Sequence, residues 1–135
     1  MHLLKKIATA LKEAPQAFRP IPNPTLIMTL LVKNEEDILE ENLCFHKEMG
    51  VDGFIITDNN STDRTIDIIR KYQEMGWIKK VVIEKATNYN QKVWVDRMIR
   101  IAKNEFHADW VINADADELW YSPTGSLKTE LTGTT

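Results

Sequence analysis

The fold is decided by residues 26–32, which read LIMTLLV, a continuous apolar run broken only by Thr29. A strand with one solvated face alternates polar and apolar residues, whereas a continuous run is typical of a strand buried on both faces of a parallel sheet. Neighbouring parallel strands need crossover connections, which are usually helices. The run therefore predicts an interior strand of a parallel sheet with helices packed on it.

Beyond this run the chain alternates between short apolar segments and amphipathic segments of helical period. Further strands are predicted at residues 54–57, 81–84 and 110–112. Three helices are predicted between the strands: one from an Asn34 cap to Gly50, one from a Ser61 or Thr62 cap to near Gly76, and one over residues 91–106. Strands that alternate with helices predict an α/β fold with a mostly parallel sheet flanked by helices.

The chain divides into two unequal parts. Residues 1–24 are predicted to form an amphipathic basic helix followed by a proline-rich connector, and residues 25–135 to form one α/β domain. A length of 135 residues is enough for one core and too short for two. Two interpretations of the helix stay open, because it could pack on protein or lie with its basic face on a membrane surface.

Composition restricts the classes of function. The formal net charge is −3, so the chain lacks the basic surplus that neutralises phosphate backbones, and no nucleic-acid partner is expected. Cys44 is the single cysteine, which excludes an intrachain disulfide and a cysteine-based zinc cage and fits a reducing compartment. We therefore expect a cytoplasmic protein, with peripheral attachment to a membrane left open.

Three polar clusters follow predicted strands: KNE at 33–35, DNNSTD at 58–63 and DADE at 115–118. Ligands of open α/β sheets bind beyond the carboxyl ends of the strands, so these clusters are expected to converge on one binding site. The sequence has no G-x-G-x-x-G and no G-x-x-x-x-G-K-[ST] pattern, so neither a dinucleotide site nor a P-loop is supported.

Asp115 and Asp117 are the sharpest feature of the third cluster. Two carboxylates at i and i+2 in extended backbone point the same way and can address one hard cation, which favours Mg²⁺ or Mn²⁺. A cation held by only two carboxylates has positions left for substrate phosphates. The alternative interpretation is a solvated acidic turn. In the second cluster, Asp58 can accept hydrogen bonds from ribose hydroxyls or base N–H groups.

The order of these segments resembles family 2-type glycosyltransferases, within the subgroup that carries a D-x-D-E motif. The matching segments are MTLLVKNE at 28–35, GVD at 50–52, DNNSTDRT at 58–65, ADW at 108–110 and DADE at 115–118. The resemblance spans residues 25–120 and implies the GT-A fold, a Rossmann-like sheet that binds a nucleoside-diphosphate sugar. It also implies a metal-assisted reaction, with a UDP-sugar as the expected donor.

The resemblance implies a role for each matching residue. Lys33 and Asn34 would line the nucleotide pocket, Asp58 and Asn59 would lie near the nucleoside, Gln91 and Arg97 would approach the diphosphate, and Asp115 and Asp117 would hold Mn²⁺ or Mg²⁺ against it. His46 matches a family position on the first helix, where a packing role and a site role both stay open.

The implied mechanism is a single displacement at the anomeric carbon, with a general base that deprotonates the acceptor hydroxyl. The family supplies that base and the acceptor pocket well after the D-x-D motif, and no matching residue is identified here, Glu118 and Glu130 included. We expect a GT-A domain truncated after the motif, which binds the donor of a reaction with an unknown glycan, lipid or protein acceptor. The alternatives are a sugar-1-phosphate nucleotidyltransferase and a non-catalytic nucleotide-sugar-binding module.

Overall fold

The computed structural model describes residues 23–131, so the predicted helix at 2–14 and most of the proline-rich connector lie outside the described residues. The strands are β1 (Leu26–Val32), β2 (Gly53–Asp58), β3 (Ile78–Ile83) and β4 (Trp110–Ala114), and the helices are α1 (Leu39–Glu48), α2 (Thr65–Glu74), α3 (Gln91–Asn104) and α4 (Lys128–Leu131). Every strand and helix predicted within this range is present.

The four strands form one parallel sheet in the order β3-β2-β1-β4. β1 lies inside the sheet, between β2 and β4, and six of its seven residues are buried. β3 is an edge strand, where Lys79 and Lys80 are exposed. Charged side chains on an edge strand discourage pairing with another chain. The prediction of an α/β fold with a parallel sheet is confirmed.

Helices cover both faces of the sheet. Alternate side chains of β1 point to opposite faces. Met28 and Leu30 belong to a core with residues of α1 and α2, whereas Ile27 belongs to a second core with Met98 and Ala102 of α3. The chain therefore builds outward from β1 through β2 to β3, and then crosses the other face to reach β4. A crevice forms where the direction reverses, between the carboxyl ends of β1 and β4.

Two aspartates, one in the GVD segment and one in the ADW segment, bind the backbone at the amino end of β1. The Asp52 carboxylate accepts a hydrogen bond from the Leu26 backbone N–H at 2.8 Å, and Asp109 accepts one from Thr25 at 2.8 Å. Lys128 of α4 also binds Asp52, with an Nζ–Oδ2 distance of 2.9 Å. The GVD and ADW segments thus fix the amino end of β1, which is the end away from the predicted binding site.

The starts of two helices differ from the sequence prediction. α1 begins at Leu39, and α2 begins at Thr65; neither has a side-chain cap hydrogen bond from its N-cap residue. Asn34 does not cap α1, since the N-cap residue is Ile38, and Asn34 adopts a left-handed backbone with φ of 52°. Asparagine is tolerated both at helix caps and in that conformation, so its presence alone did not decide between them. Along α3 the buried residues are Trp94, Met98 and Ala102.

Gly50 and Gly76 end the first two helices with positive φ values of 98° and 81°. An alanine at either position would be strained by its backbone, at a cost of about 1 kcal/mol. A Cβ on Gly50 would also lie 2.8 Å from Ser126 Oγ, whereas one on Gly76 meets nothing within 4 Å. We expect Gly50→Ala to lower the free energy of unfolding by about 2 kcal/mol and Gly76→Ala by about half of that. Urea denaturation of the two variants measures the difference, and equal losses would contradict a packing contribution from Ser126.

Candidate functional site

The loops that follow β1 and β2 are fastened to each other by side-chain hydrogen bonds. Asn34 Oδ1 accepts hydrogen bonds from the backbone N–H groups of Thr62 at 2.7 Å and Asp63 at 3.3 Å. In the other direction, Ser61 Oγ accepts a hydrogen bond from the Asn34 N–H at 2.9 Å. Thr65 Oγ1 accepts one from the Glu35 N–H at 2.8 Å. Asp63 also accepts from the Glu36 N–H at 3.3 Å. Ser61, which the sequence suggested as a helix cap, therefore connects two loops instead. We call this set of contacts the loop clasp.

A pocket of about 250 Å³ lies at the crevice between the carboxyl ends of β1 and β4 and the amino end of α3. Its lining residues are Leu31, Val32, Lys33, Glu35, Asn59, Tyr89, Gln91, Trp94, Val95, Asn113, Ala114 and Asp115. Four of the site residues predicted from sequence are among them: Lys33, Asn59, Gln91 and Asp115. The other four, Asn34, Asp58, Arg97 and Asp117, do not line it.

The end of β2 carries two buried polar side chains. Asn59 donates both hydrogens of its amide, to the carbonyls of Glu84 and Ala86 at 2.9 Å each, and its backbone N–H binds the Val32 carbonyl. It therefore fixes the loop after β3 and has its carbonyl oxygen as the acceptor that it can offer a ligand. Asp58 is 3% exposed, and its Oδ1 has no hydrogen-bond partner among the described residues. A buried carboxylate oxygen without a donor is costly, which makes it a candidate ligand atom.

Arg97 contributes to the site indirectly. Its Nη2 lies 2.8 Å from Glu84 Oε1, which connects α3 to the end of β3. This hydrogen bond, with further help from the Ala86 N–H, lowers the pKa of the Glu84 carboxyl. Because Glu84 also presents its carbonyl to Asn59, Arg97 supports one wall of the pocket from outside.

Positive charge reaches the pocket from two sources. Lys33 lies at the mouth, with its Nζ 5.5 Å from the centre of the Tyr89 ring. α3 begins at the pocket, and its first turn contains no acidic residue. The amino end of a helix carries partial positive charge and free N–H groups, which suit a phosphate. Lysine and helix end together favour an anionic ligand.

The D-x-D residues lie in a turn, which the sequence prediction did not foresee. β4 ends at Ala114, and the Glu118 N–H donates to the Asp115 carbonyl at 3.0 Å, so the extended backbone assumed for the pair is wrong. Ala116 is buried, while Asp115 and Asp117 are both exposed. The carboxylates therefore remain on the solvent side. Glu118 turns its own carboxylate back onto the Asp115 N–H, at 2.9 Å.

Glu35 is a site residue that the sequence analysis did not select, although it belongs to the KNE cluster. Its pKa is raised, first by burial and then by the negative charges of Asp37, Asp117, Asp63 and Asp115. The clusters after β1, β2 and β4 thus come close enough to act on one carboxyl group. Such concentrated negative charge is relieved by a cation.

The turn that carries Asp117 rests on two buried side chains of α1. Asn42 donates to the carbonyls of Ala116 at 2.9 Å and Glu118 at 3.0 Å, and it contacts His46 at 3.0 Å. The Trp120 N–H donates to His46 Nε2 at 2.9 Å. His46 is fully buried, and burial lowers its pKa to about 4. Asn42 was missed, although a polar residue among the buried positions Leu39, Leu43 and His46 of one helix face is a readable signal.

A second groove, of about 370 Å³, lies between α1 and α2 and is lined by Glu36, Glu40, Arg64, Asp67, Ile68 and Lys71. It is larger, but four of its five charged side chains form ion pairs with one another. Lys71 Nζ lies 2.8 Å from Glu40 Oε2, and Arg64 Nε lies 3.9 Å from Asp67 Oδ2. The smaller pocket at the crevice has the more suitable chemistry for a ligand.

Within residues 23–131, no group of three or more histidine, cysteine, aspartate or glutamate side chains is arranged to hold a metal ion. A cation at Asp115 and Asp117 would therefore need additional ligands from water or from a bound substrate, which is the arrangement typical of Mg²⁺ with phosphates. The carboxylate oxygens of the pair fit such a cation chemically.

Within residues 23–131 no helix has the length and apolar character needed to cross a membrane.

Comparison with known proteins places these features in a family. The sequence model for Glycosyl transferase family 2 matches residues 29–124. The structure is similar to S. aureus TarS 1-349, with a TM-score of 0.52 and 17% identity over 69% of this chain and 27% of that one. It is also similar to the mannosyltransferase PcManGT from Pyrobaculum calidifontis in complex with GDP-Man and Mn²⁺, with a TM-score of 0.54 and 22% identity over 88% of this chain and 36% of that one. No curated protein matches the chain.

A helix-flanked parallel sheet with a pocket at its topological switch point is an α/β architecture, here of the GT-A type. The chain belongs to glycosyl transferase family 2, whose model covers well over half of its length. It covers 36% of the length of the PcManGT chain and 27% of the length of the TarS chain.

Proposed function

We propose that this chain binds the nucleoside-diphosphate sugar donor of a glycosyltransferase reaction, with a divalent cation, Mn²⁺ or Mg²⁺, at Asp115 and Asp117. One observation carries the proposal: the pocket at the switch point is lined by side chains that follow β1, β2 and β4 and by the amino end of α3. A pocket that collects a lysine, a helix end and an aspartate suits a diphosphate and a cation together. We also propose that the chain belongs to the subgroup of the family that carries the D-x-D-E motif.

The residues take distinct roles in the proposed complex. Lys33 and the first turn of α3, which begins at Gln91, attract the diphosphate. Asn59 offers its carbonyl oxygen to a base N–H or a ribose hydroxyl. Asp58, whose buried Oδ1 does not line the pocket, is assigned to the nucleoside on the resemblance alone. Arg97 acts through Glu84 on the wall of the pocket. Asn34 keeps the loop after β1 in place through the loop clasp. We propose uridine as the base, on the resemblance alone.

The proposed reaction breaks the bond between the anomeric carbon and the diphosphate oxygen and forms a bond from that carbon to an acceptor hydroxyl oxygen. When bound, the cation offsets the negative charge that develops on the departing diphosphate. The hydroxyl proton passes to a general base, which we assign to none of residues 23–131. Glu130 Oε1 accepts a hydrogen bond from Ser122 Oγ at 2.9 Å. Glu130 belongs to α4, whose Lys128 binds Asp52 at the amino end of β1, away from the pocket. The acceptor class, glycan, lipid or protein, is left open by the proposal.

Isothermal titration calorimetry with UDP-glucose and with GDP-mannose tests the proposal, each with and without Mn²⁺. We expect Mn²⁺-dependent binding of one donor by the wild-type chain. The isosteric double variant Asp115→Asn/Asp117→Asn should weaken that binding at least about tenfold, a difference of about 1.4 kcal/mol. Asp96→Asn, which changes an exposed aspartate of α3, is the matched control and should bind as the wild type does.

Three results would contradict this proposal in different ways. Equal affinity of the double variant and Asp96→Asn would remove the cation role of the pair. Absence of any nucleotide-dependent heat would remove the donor site. Release of pyrophosphate from UTP or CTP with a sugar phosphate would indicate a nucleotidyltransferase instead.

A further inference from the structure

We propose that Asn42 and His46 are positioning residues that set the place of the D-x-D turn, and through it the affinity for the divalent cation. This inference depends on the proposed function. Both residues belong to α1, four positions apart, so they occupy the same face of the helix. They are 1% and 0% exposed, and the face that they share lies beneath residues 116–120.

The hydrogen bonds of Asn42 surround Asp117. Its Nδ2 donates to the carbonyl on the amino side of Asp117, that of Ala116, and to the carbonyl on the carboxyl side, that of Glu118, at 2.9 and 3.0 Å. One amide therefore fixes the backbone on both sides of a proposed cation ligand. Asp117 itself is exposed, so its carboxylate depends on this backbone for its position.

His46 determines which way the Asn42 amide faces. The Trp120 N–H can only donate, so the His46 Nε2 that receives it carries no proton. The proton of the neutral ring is then on Nδ1, which donates to Asn42 Oδ1 across 3.0 Å. With Oδ1 bound to the histidine, the Nδ2 group must face the turn. The ring also holds the backbone three residues after Asp117, so the two side chains together fix residues 116, 118 and 120.

The arrangement uses all the hydrogen-bonding groups of the histidine ring and both amide hydrogens of Asn42. A buried network in which each donor has an acceptor specifies a single geometry. Buried groups that orient metal ligands from behind change metal affinity by about 10–100-fold when they are removed. We expect a loss in that range when the network is broken.

The test measures the dissociation constant of Mn²⁺ by electron paramagnetic resonance, in the presence of UDP and, separately, of GDP. Asn42→Leu keeps the shape and removes the hydrogen bonds, and it should weaken Mn²⁺ binding about 10–100-fold. Leu43→Ala is the matched control, because Leu43 is fully buried on the same helix but has its place in the apolar core. It should lower the melting temperature while leaving the Mn²⁺ dissociation constant unchanged well below that temperature.

A conservative pair tests the histidine in the same assay. His46→Gln places an amide oxygen where Nε2 accepts the Trp120 N–H, and it should bind Mn²⁺ more tightly than His46→Leu. If the leucine variants do not fold, ¹⁵N NMR of the wild-type histidine ring at neutral pH still decides the matter. A proton on Nδ1 is expected, and a proton on Nε2 would overturn the inference.

The outcomes separate the two proposals. If wild-type protein shows no nucleotide-dependent Mn²⁺ binding, the proposed function fails, and this inference fails with it. If the wild type binds Mn²⁺ while Asn42→Leu binds it equally well, only the positioning role is overturned. A parallel loss of affinity in Leu43→Ala would also overturn it, because general destabilisation would then explain the effect.

Discussion

Acidification from about pH 7 to about pH 5 should lower the free energy of unfolding by about 2 kcal/mol through His46, and by about 3 kcal/mol at pH 4. The histidine has an ordinary pKa of 6.5 in the unfolded chain and one of about 4 in the folded protein, because burial disfavours its charged form. Between those values the unfolded state binds a proton that the folded state does not. Stability therefore declines as the pH falls from 6.5 towards 4, and above 6.5 the residue has no effect on the pH profile.

Urea denaturation at several pH values between 7 and 5 measures this decline. The matched control is His46→Gln, which retains an acceptor for the Trp120 N–H but has no proton to gain. Its stability should vary by less than about 1 kcal/mol over the same range, since carboxyl groups titrate mostly below it. A variant with the wild-type pH dependence would show that other groups are responsible.

Ile56→Ala should lower the free energy of unfolding by about 3–4 kcal/mol. Ile56 is fully buried in β2, in the core shared with α1 and α2, and truncation leaves a cavity that close packing on both sides cannot fill. A loss of this size is a large part of the stability of a single domain. The expected result is a markedly lower urea midpoint.

The control for this truncation is Ile83→Ala on the neighbouring strand β3. Ile83 is 54% exposed, so the same three carbon atoms are removed from a largely solvated position. We expect a loss below about 1 kcal/mol, most of it from the lower strand preference of alanine. Comparable losses in the two variants would show that β3 packs against something outside residues 23–131.

Much of the fold could be predicted because its signals are local. The run at 26–32 has the bounds of β1 itself, and Gly50 and Gly76 end the helices where the sequence placed their ends. Because ligands of such sheets bind beyond the carboxyl ends of the strands, the sequence also predicted one site for Lys33 and Asp115, which are far apart along the chain. Both residues line the same pocket. Periodicity and strand order need only the pattern of neighbouring residues.

The helix starts and the turn at the site could not be predicted in the same way. Asn34 fits a helix cap by residue type, but its partners are the N–H groups of Thr62 and Asp63, 28 and 29 residues away. A short polar side chain can satisfy donors in either setting, and only the approach of the second loop selects one. The Asp115–Asp117 spacing likewise said nothing of the turn that follows β4.

The sequence by itself determined the class of fold, the central strand and the side of the sheet where the polar clusters meet, because burial periodicity and the rule that ligands bind beyond the carboxyl ends of strands act through local pattern. The tertiary structure decided which side chains face the pocket and which hold it in shape. Asn59, Arg97 and His46 illustrate the difference. Their hydrogen-bonding capacity is fixed by residue type, but their partners are set by chain segments that only folding brings within about 3 Å.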